Sequence, residues 1–140
     1  MTDLLIKPTK LKGTVDITPS KSMAHRAVIS ASLSNGESVV DNIVLSEDIQ
    51  ATIDGMISFG ADIQILDRGH RKRLLIKGVG NNKTTADRTI DANESGSTLR
   101  FFIPIATLFE GETRFIGRGK LGIRPLDRFE KIFQEQGLRF

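Results

Sequence analysis

The sequence PSKSMAHR, residues 19–26, precedes a run of small and apolar residues at helical spacing. Ser22 is a good helix cap, so we predict a helix from residue 22 to about residue 34. Its buried face is expected to consist of Met23, Ala24, Ala27, Val28 and Ala31. A helix N-terminus carries unpaired N–H groups and partial positive charge. Lys21 beside it and Arg26 one turn in therefore predict an anion site.

A second helix start of the same kind follows, and its Arg100 lies 74 residues after Arg26. Residues 95–97, Ser-Gly-Ser, open a helix that we predict from Gly96 to about Phe109. A single motif of this kind more often marks a solvated, capped helix than a binding site. The recurrence is what favours a functional interpretation.

The remaining elements also recur, which indicates a duplicated β-α-β-α-β-β unit and an α/β (α+β) fold. In unit one, about residues 11–78, the predicted elements are 11–18, 22–34, 37–42, 46–60, 62–66 and 73–77, after an extended leader at 1–10. In unit two, about residues 88–140, they are 89–91, 96–109, 112–116 and 125–136. The last two strands of unit two are missing. We therefore expect residues 1–140 to be a fragment of a longer chain.

Composition is that of one soluble domain: 140 residues, 39% hydrophobic and 26% charged. The absence of cysteine excludes a disulfide framework and a thiolate zinc site. No apolar run is long enough for a signal peptide or a membrane span. The sequence therefore predicts a cytoplasmic protein without a membrane partner.

The net charge of +3 suits a small phosphorylated substrate or nucleic acid. The aromatic residues, 6% of the chain, do not alternate with basic ones as a nucleic-acid stacking platform requires. The densest basic run, residues 68–73, is predicted to be a solvated hairpin tip, although it is also the best candidate in this sequence for binding nucleic acid. His25 and His70 lack carboxylates at ligand spacing, so no metal site is predicted.

A third helix start also carries a cation. Pro125 is favourable at a first helical position, which would place Arg124 at the mouth of a helix over 125–136. Gly96 would let a ligand approach the backbone, and guanidinium groups suit phosphate and carboxylate. Three such starts facing one cleft would bind a small molecule with several anionic groups. Residues 117–122, GRGKLG, fit a dinucleotide motif, but the next helix begins too late for that fold.

Four ordered segments resemble the 3-phosphoshikimate 1-carboxyvinyltransferases, or EPSP synthases: PSKSMAHRA, LSEDIQATIDGMISFGADI, DANESGSTLRF and GRGKLGIRPLDRF. The resemblance implies the enolpyruvyl transferase fold, with two domains of three units each. This chain would be the first part of the N-terminal, substrate-binding domain, without the second domain. The implied reaction transfers the enolpyruvyl group of phosphoenolpyruvate to the 5-hydroxyl of shikimate 3-phosphate and releases phosphate. It uses no metal or organic cofactor.

The resemblance also implies roles for single residues. Lys21, Ser22 and Arg26 would bind shikimate 3-phosphate, and Lys21 would also reach phosphoenolpyruvate. Gly96 and Arg124 would line the phosphoenolpyruvate site. The general acid and base are expected in the second domain, so no catalytic residue is assigned here. The fragment alone is therefore expected to be inactive.

Ser97 and Arg100 would support the site. Four departures from the family pattern lie in this region, and one is Ser97 itself, which stands where many members have Thr. The family usually has a Gly before the Ser-Lys-Ser of its first motif, and this sequence lacks it. Glu94 stands where many members have Asn, and Phe101 stands where Pro is usual. An added acid beside anionic substrates would weaken binding unless a nearby cation neutralises it.

Two alternatives stay open. UDP-N-acetylglucosamine enolpyruvyl transferase shares the fold, but its first motif has Lys-Asn, so Lys21 and Ser22 with Arg26 favour the shikimate enzyme. A non-catalytic anion or nucleic-acid binding module is the alternative from another class. The predicted partners are the two small substrates, with no nucleic acid. The full-length enzyme is expected to be monomeric, and self-association of the fragment is left open.

Overall fold

The computed structural model describes residues 4–5, 7–83 and 85–140, so part of the predicted leader lies outside the described residues. The helices are α1 Lys21–Leu33, α2 Glu47–Ser58, α3 Gly96–Ala106 and α4 Asp127–Glu135. The strands are β1 Asn35–Ile43, β2 Asp62–Arg68, β3 Arg71–Val79, β4 Arg88–Asp91 and β5 Thr113–Ile116. A 3-10 turn over Leu121–Ile123 precedes α4. The predicted α/β class is confirmed.

The strands form an antiparallel sheet in the order β1-β3-β2 and a parallel pair, β4 and β5. The predicted hairpin is present as β2 and β3, in which Arg68 pairs with Arg71. Its turn consists of Gly69 and His70, so the basic tip predicted over 68–73 was too long. Gly69 has a φ of +73°, and this left-handed conformation permits a two-residue turn.

Turn glycines repeat as the sequence spacing predicts. Gly36 follows α1 with a φ of +90°, and Gly111 follows α3 with a φ of +91°. Gly60 and Gly137 follow α2 and α4 with φ values of +104° and +69°. The order α1-β1-α2 recurs as α3-β5-α4. The two halves therefore share backbone turns that glycine adopts at little cost.

The strand predicted over 11–18 was wrong, because residues 11–18 form no strand. Leu11, Val15 and Ile17 are 91%, 81% and 83% exposed. An alternating pattern provides one apolar face, but a strand also needs a neighbour that satisfies its N–H and C=O groups. No strand of the described residues pairs with this segment.

The main core lies between the three-stranded sheet and helices α1 to α3. Phe59 and Phe102 are fully buried and meet edge to face, with 5.7 Å between ring centroids. Gly55 of α2 gives Phe102 of α3 its space, since an added Cβ would lie 2.0 Å from the Phe102 ring. Helices α2 and α3 are therefore in close contact, and α1 also packs against α2.

A second cluster fixes the segment before α4. Leu121 is 3% exposed and packs with Ala92, Leu99 and Ile103. This contact holds residues 121–126 against α3, so the side chains of this segment lie close to the start of α3. No helix in the described part of the chain has the length and apolarity needed to cross a bilayer.

Candidate functional site

The first two turns of α1 carry the predicted ligand residues Lys21, Ser22 and Arg26. The helix cap is Ser20 rather than Ser22 as predicted. Ser20 has the extended backbone that a cap requires, and its Oγ accepts from the Met23 N–H at 3.3 Å. Ser22 is already helical, and it is exposed. Met23 is 62% exposed, so its predicted burial was wrong.

Both cations of α1 have neighbours that orient them. Lys21 Nζ forms an ion pair with the carboxylate of Asp48, in the first turn of α2. Arg26 Nη1 donates to the Ser22 carbonyl at 2.9 Å, and its guanidinium lies 5.3 Å from the centre of the Phe101 ring. The Lys21 side chain is 53% exposed, so solvent weakens its ion pair. An incoming phosphate can compete with Asp48 for this ammonium group.

Two guanidinium groups meet at the first turn of α3. Ser95 caps the helix, and its Oγ accepts from the Thr98 N–H at 3.2 Å. A Cβ added at Gly96 would lie 2.2 Å from Arg124 Nη1 and 3.2 Å from Arg100 Nη1. Because Gly96 has no side chain, both guanidinium groups fit against this helix start. Their charges add to the partial positive charge of the helix N-terminus.

Arg124 reaches α3 by a route that the sequence did not predict. Helix α4 begins at Asp127, so neither Pro125 nor Arg124 lies at its mouth. Arg124 instead ends the 3-10 turn, where its N–H donates to the Leu121 carbonyl at 3.1 Å. The burial of Leu121 explains this placement, because it holds the turn against the second core cluster.

Ser97 and Glu94 flank this helix start. Ser97 is exposed in the first turn of α3. The exposed Glu94 places its carboxylate next to Gly119, 2.5 Å from where a Cβ would stand. None of the ion pairs found among the described residues includes Glu94. No ion pair of the described residues therefore neutralises the negative charge of Glu94.

Buried polar side chains lie below the exposed cations, and sequence reasoning missed most of them. His25 Nδ1 is 2.7 Å from Thr52 Oγ1, which is 2.8 Å from Thr98 Oγ1. Thr98 Oγ1 is 2.7 Å from Ser95 Oγ. All four residues are at most 1% exposed. The sequence signal that could have indicated them is a single threonine on the otherwise apolar face of each helix, Thr52 in α2 and Thr98 in α3.

Burial lowers the pKa of His25 from its ordinary value of 6.5; the Asp48 carboxylate opposes this shift, whereas Lys21 and Arg26 add to it. The unfolded chain therefore binds a proton more readily than the folded chain. Stability from neutral His25 is fully present above pH 6.5 and is lost as the pH falls below that value. We expect the free energy of unfolding, measured in urea, to decrease between about pH 7.5 and 5.5.

Substitutions at the two histidines separate this effect from other titrations. His25→Asn keeps a hydrogen-bonding group near Thr52 but does not titrate, so it should flatten the pH dependence. His70→Asn changes an exposed residue of the hairpin turn and should leave the dependence as in the unsubstituted chain. The same slope in the His25→Asn variant as in the unsubstituted chain would contradict the prediction.

Comparisons with known proteins show which family this chain is similar to. The family model described as EPSP synthase (3-phosphoshikimate 1-carboxyvinyltransferase) matches residues 5–140. Proteins named 3-phosphoshikimate 1-carboxyvinyltransferase from Clostridium perfringens and Clostridium beijerinckii are 51% identical over 140 residues and 53% identical over 146 residues. These alignments cover 100% of this chain but 32% and 33% of the relatives. The chain thus spans about a third of the length of these proteins.

A solved structure, the EPSP synthase from Acinetobacter baumannii, superposes with a TM-score of 0.76 at 22% identity. The superposition covers 91% of this chain and 28% of that one. At this identity the likeness concerns the fold, and it confirms the predicted enolpyruvyl transferase fold. Since the family model also covers nearly the whole sequence, the chain belongs to the EPSP synthase (3-phosphoshikimate 1-carboxyvinyltransferase) family.

Proposed function

We propose that the chain forms the shikimate 3-phosphate site, and one side of the phosphoenolpyruvate site, of an enzyme that transfers the enolpyruvyl group. The observation that carries the proposal is the gathering of cations at the first turns of α1 and α3: Lys21, Arg26, Arg100 and Arg124. The two substrates together carry two phosphates and two carboxylates. Such anions are matched by helix N-termini and guanidinium groups.

Shikimate 3-phosphate would bind at the start of α1. Lys21 would neutralise the phosphate and exchange its Asp48 partner for a substrate oxygen, and it would also reach phosphoenolpyruvate. The exposed Ser22 hydroxyl can donate a hydrogen bond to the same phosphate. Arg26 would present a planar guanidinium that the Phe101 ring supports from one side.

Phosphoenolpyruvate would bind at the start of α3, beside Gly96 and Arg124, with Ser97 and Arg100 as supporting residues. The 5-hydroxyl of shikimate 3-phosphate gives up its proton to a base as its oxygen adds to C2 of phosphoenolpyruvate, and C3 gains a proton from an acid. Phosphate then leaves C2, and C3 loses a proton, which restores the double bond. The chain's residues would contribute by orienting the substrates and stabilising negative charge. The proton transfers are assigned to groups outside this chain.

The proposed organisation follows the same resemblance. Residues 1–140 would be part of one N-terminal domain, with unit one at about 11–78 and an incomplete unit two at about 88–140. The remaining length of the relatives would supply the second domain and its acid and base groups. A monomeric full-length enzyme and a cytoplasmic location are part of this proposal.

The alternatives have less support. The curated relatives at about 50% identity are named as the shikimate enzyme, which favours it over the UDP-N-acetylglucosamine enzyme. The basic hairpin is the candidate nucleic-acid binding segment, and its cations form ion pairs with nearby carboxylates. Arg73 pairs with Asp41, and Lys72 pairs with Asp67 at 2.8 Å. These carboxylates would repel the phosphates of a nucleic acid.

Titration calorimetry of the chain with shikimate 3-phosphate tests the proposed site, and unphosphorylated shikimate is the control ligand. Charged hydrogen bonds contribute about 1.5–3 kcal/mol each, so shikimate should bind at least about tenfold more weakly. The chain alone should release no phosphate from phosphoenolpyruvate, whereas a full-length polypeptide containing it should. Turnover by the chain alone would overturn the assignment of the proton transfers. A folded chain that does not distinguish the two ligands would overturn the phosphate site.

A further inference from the structure

The buried side chains below the site connect the N-terminal halves of α1, α2 and α3. We infer that the Thr52 and Thr98 hydroxyl groups are positioning groups, which set the distance between the α1 and α3 halves of the anion site. The contact of these hydroxyls is independent of any ligand. Only the identity of the bound anion rests on the proposed function.

The two hydroxyls meet over one carbonyl group. Thr52 Oγ1 and Thr98 Oγ1 are 2.8 Å apart, and they lie 3.2 Å and 3.3 Å from the carbonyl oxygen of Asp48. The carboxylate of the same Asp48 pairs with Lys21. A change at the hydroxyl pair is therefore transmitted to the Lys21 ammonium group through one residue of α2.

The same pair reaches the other half of the site through Ser95. Thr98 contacts Ser95 twice, because both its N–H and its hydroxyl lie within hydrogen-bond distance of Ser95 Oγ, at 3.2 Å and 2.7 Å. Ser95 directly precedes Gly96, against which the Arg100 and Arg124 guanidinium groups lie. The hydroxyl pair thus connects the helix cap of α3 to the first turn of α2.

With one consistent assignment of protons, these contacts form a continuous hydrogen-bond network. The His25 Nδ1–H donates to Thr52, and Thr98 donates to Ser95. The single hydroxyl hydrogen of Thr52 is shared between Thr98 Oγ1 and the Asp48 carbonyl oxygen, so the contact with Asp48 is kept. His25 Nε2 is buried without a hydrogen-bond partner among the described residues, which fits a neutral ring with its proton on Nδ1. His25 directly precedes Arg26, so the hydrogen-bond network also reaches the second cation of α1.

Because this hydrogen-bond network is buried, it constrains the spacing of the helices. Hydrogen bonds away from water strengthen one another, and a buried hydroxyl that loses its partner is costly. The helices therefore have little freedom to change their spacing while all the groups stay bonded. A site that binds one ligand from two helices depends on such spacing, since small misplacements of binding groups reduce affinity or rate.

The experiment compares Thr98→Val, which removes the hydroxyl with little change in shape, with Thr98→Ser, which keeps it. Thr89→Val, at an exposed position of β4, is the matched control. In titrations of the chain with shikimate 3-phosphate, Thr98→Val should raise Kd about fivefold or more. Thr98→Ser should restore Kd to within about twofold of the unsubstituted chain, and Thr89→Val should not change it. An unchanged Kd in Thr98→Val, or equal losses in the Val and Ser variants, would overturn the inference.

A second readout needs no ligand and separates this inference from the proposed function. Backbone amide resonances of Lys21 and Ser22 in α1 should shift in Thr98→Val, although the substitution lies in α3, and should stay in place in Thr98→Ser. Thr52→Val should shift the same resonances and those of Gly96, so it replaces Thr98→Val if that variant does not fold. If the unsubstituted chain binds no shikimate 3-phosphate but these shifts occur, the proposed ligand fails and the positioning role holds. If the resonances do not move, the positioning role is wrong.

Discussion

Substitution of Lys21 or Arg26 by Met is expected to weaken shikimate 3-phosphate binding by about 10- to 150-fold. This range corresponds to the loss of one charged hydrogen bond, about 1.5–3 kcal/mol. Methionine keeps much of the aliphatic length of either side chain, so the charge is the main property removed. Titration calorimetry of the folded variants measures the effect. Ser22→Ala should cause a smaller loss, because a neutral hydroxyl contributes less.

Lys131→Met is the control for net charge. Lys131 lies on α4, its side chain is 79% exposed, and it faces Glu135 at 3.9 Å. This substitution removes the same charge away from the proposed site and should leave the affinity unchanged. An equal loss of affinity in Lys131→Met would assign the effect to net charge. Full affinity in both Lys21→Met and Arg26→Met would show that the ligand does not bind at the start of α1.

Phe102→Ala is expected to destabilise the chain by about 3–5 kcal/mol. Phe102 is fully buried, meets Phe59 edge to face and fills the space beside Gly55. Removing the ring leaves a cavity between α2 and α3 that packed neighbours can close only in part. Urea denaturation followed by circular dichroism measures the free energy of unfolding. Domains of this size have about 5–15 kcal/mol in total, so the loss is a large share.

Two further variants make this prediction decisive. Phe102→Leu keeps most of the apolar volume and should lose clearly less stability than Phe102→Ala, which provides a measurement if the alanine variant is unfolded. Ile123→Ala removes apolar atoms from a residue that is 80% exposed and should change stability by less than about 0.5 kcal/mol. Equal effects at positions 102 and 123 would contradict the assignment of the core.

Much of the fold could be predicted because it depends on neighbouring residues. Ser46 caps α2 as expected, with its Oγ accepting from the Ile49 N–H at 3.4 Å, and acidic residues follow in the first turn. The hairpin of β2 and β3 was predicted as two strands joined by a basic turn, and the two strands do pair. A cap or a tight turn is determined within about four residues, which is the range over which sequence patterns are informative.

The errors have a common physical cause. Residues 11–18 alternate like a strand but have no pairing partner among the described strands, and alternation does not supply one. Ser20 rather than Ser22 caps α1, because both serines suit a cap and only the backbone path decides between them. Arg124 was expected at the start of α4. The burial of Leu121 directs it to α3 instead.

The sequence by itself determined the starts of α1 and α3 with the cations that they carry, the repeated turn glycines and the family. Each of these features is specified by a short, ordered segment. Only the tertiary structure brought Arg100 and Arg124 together at Gly96 and placed Thr52 against Thr98, which are 46 residues apart in the chain. Contacts of this kind depend on how buried side chains from separate helices fill a shared space. No local pattern specifies that packing, because each side chain's position depends on all of its neighbours at once.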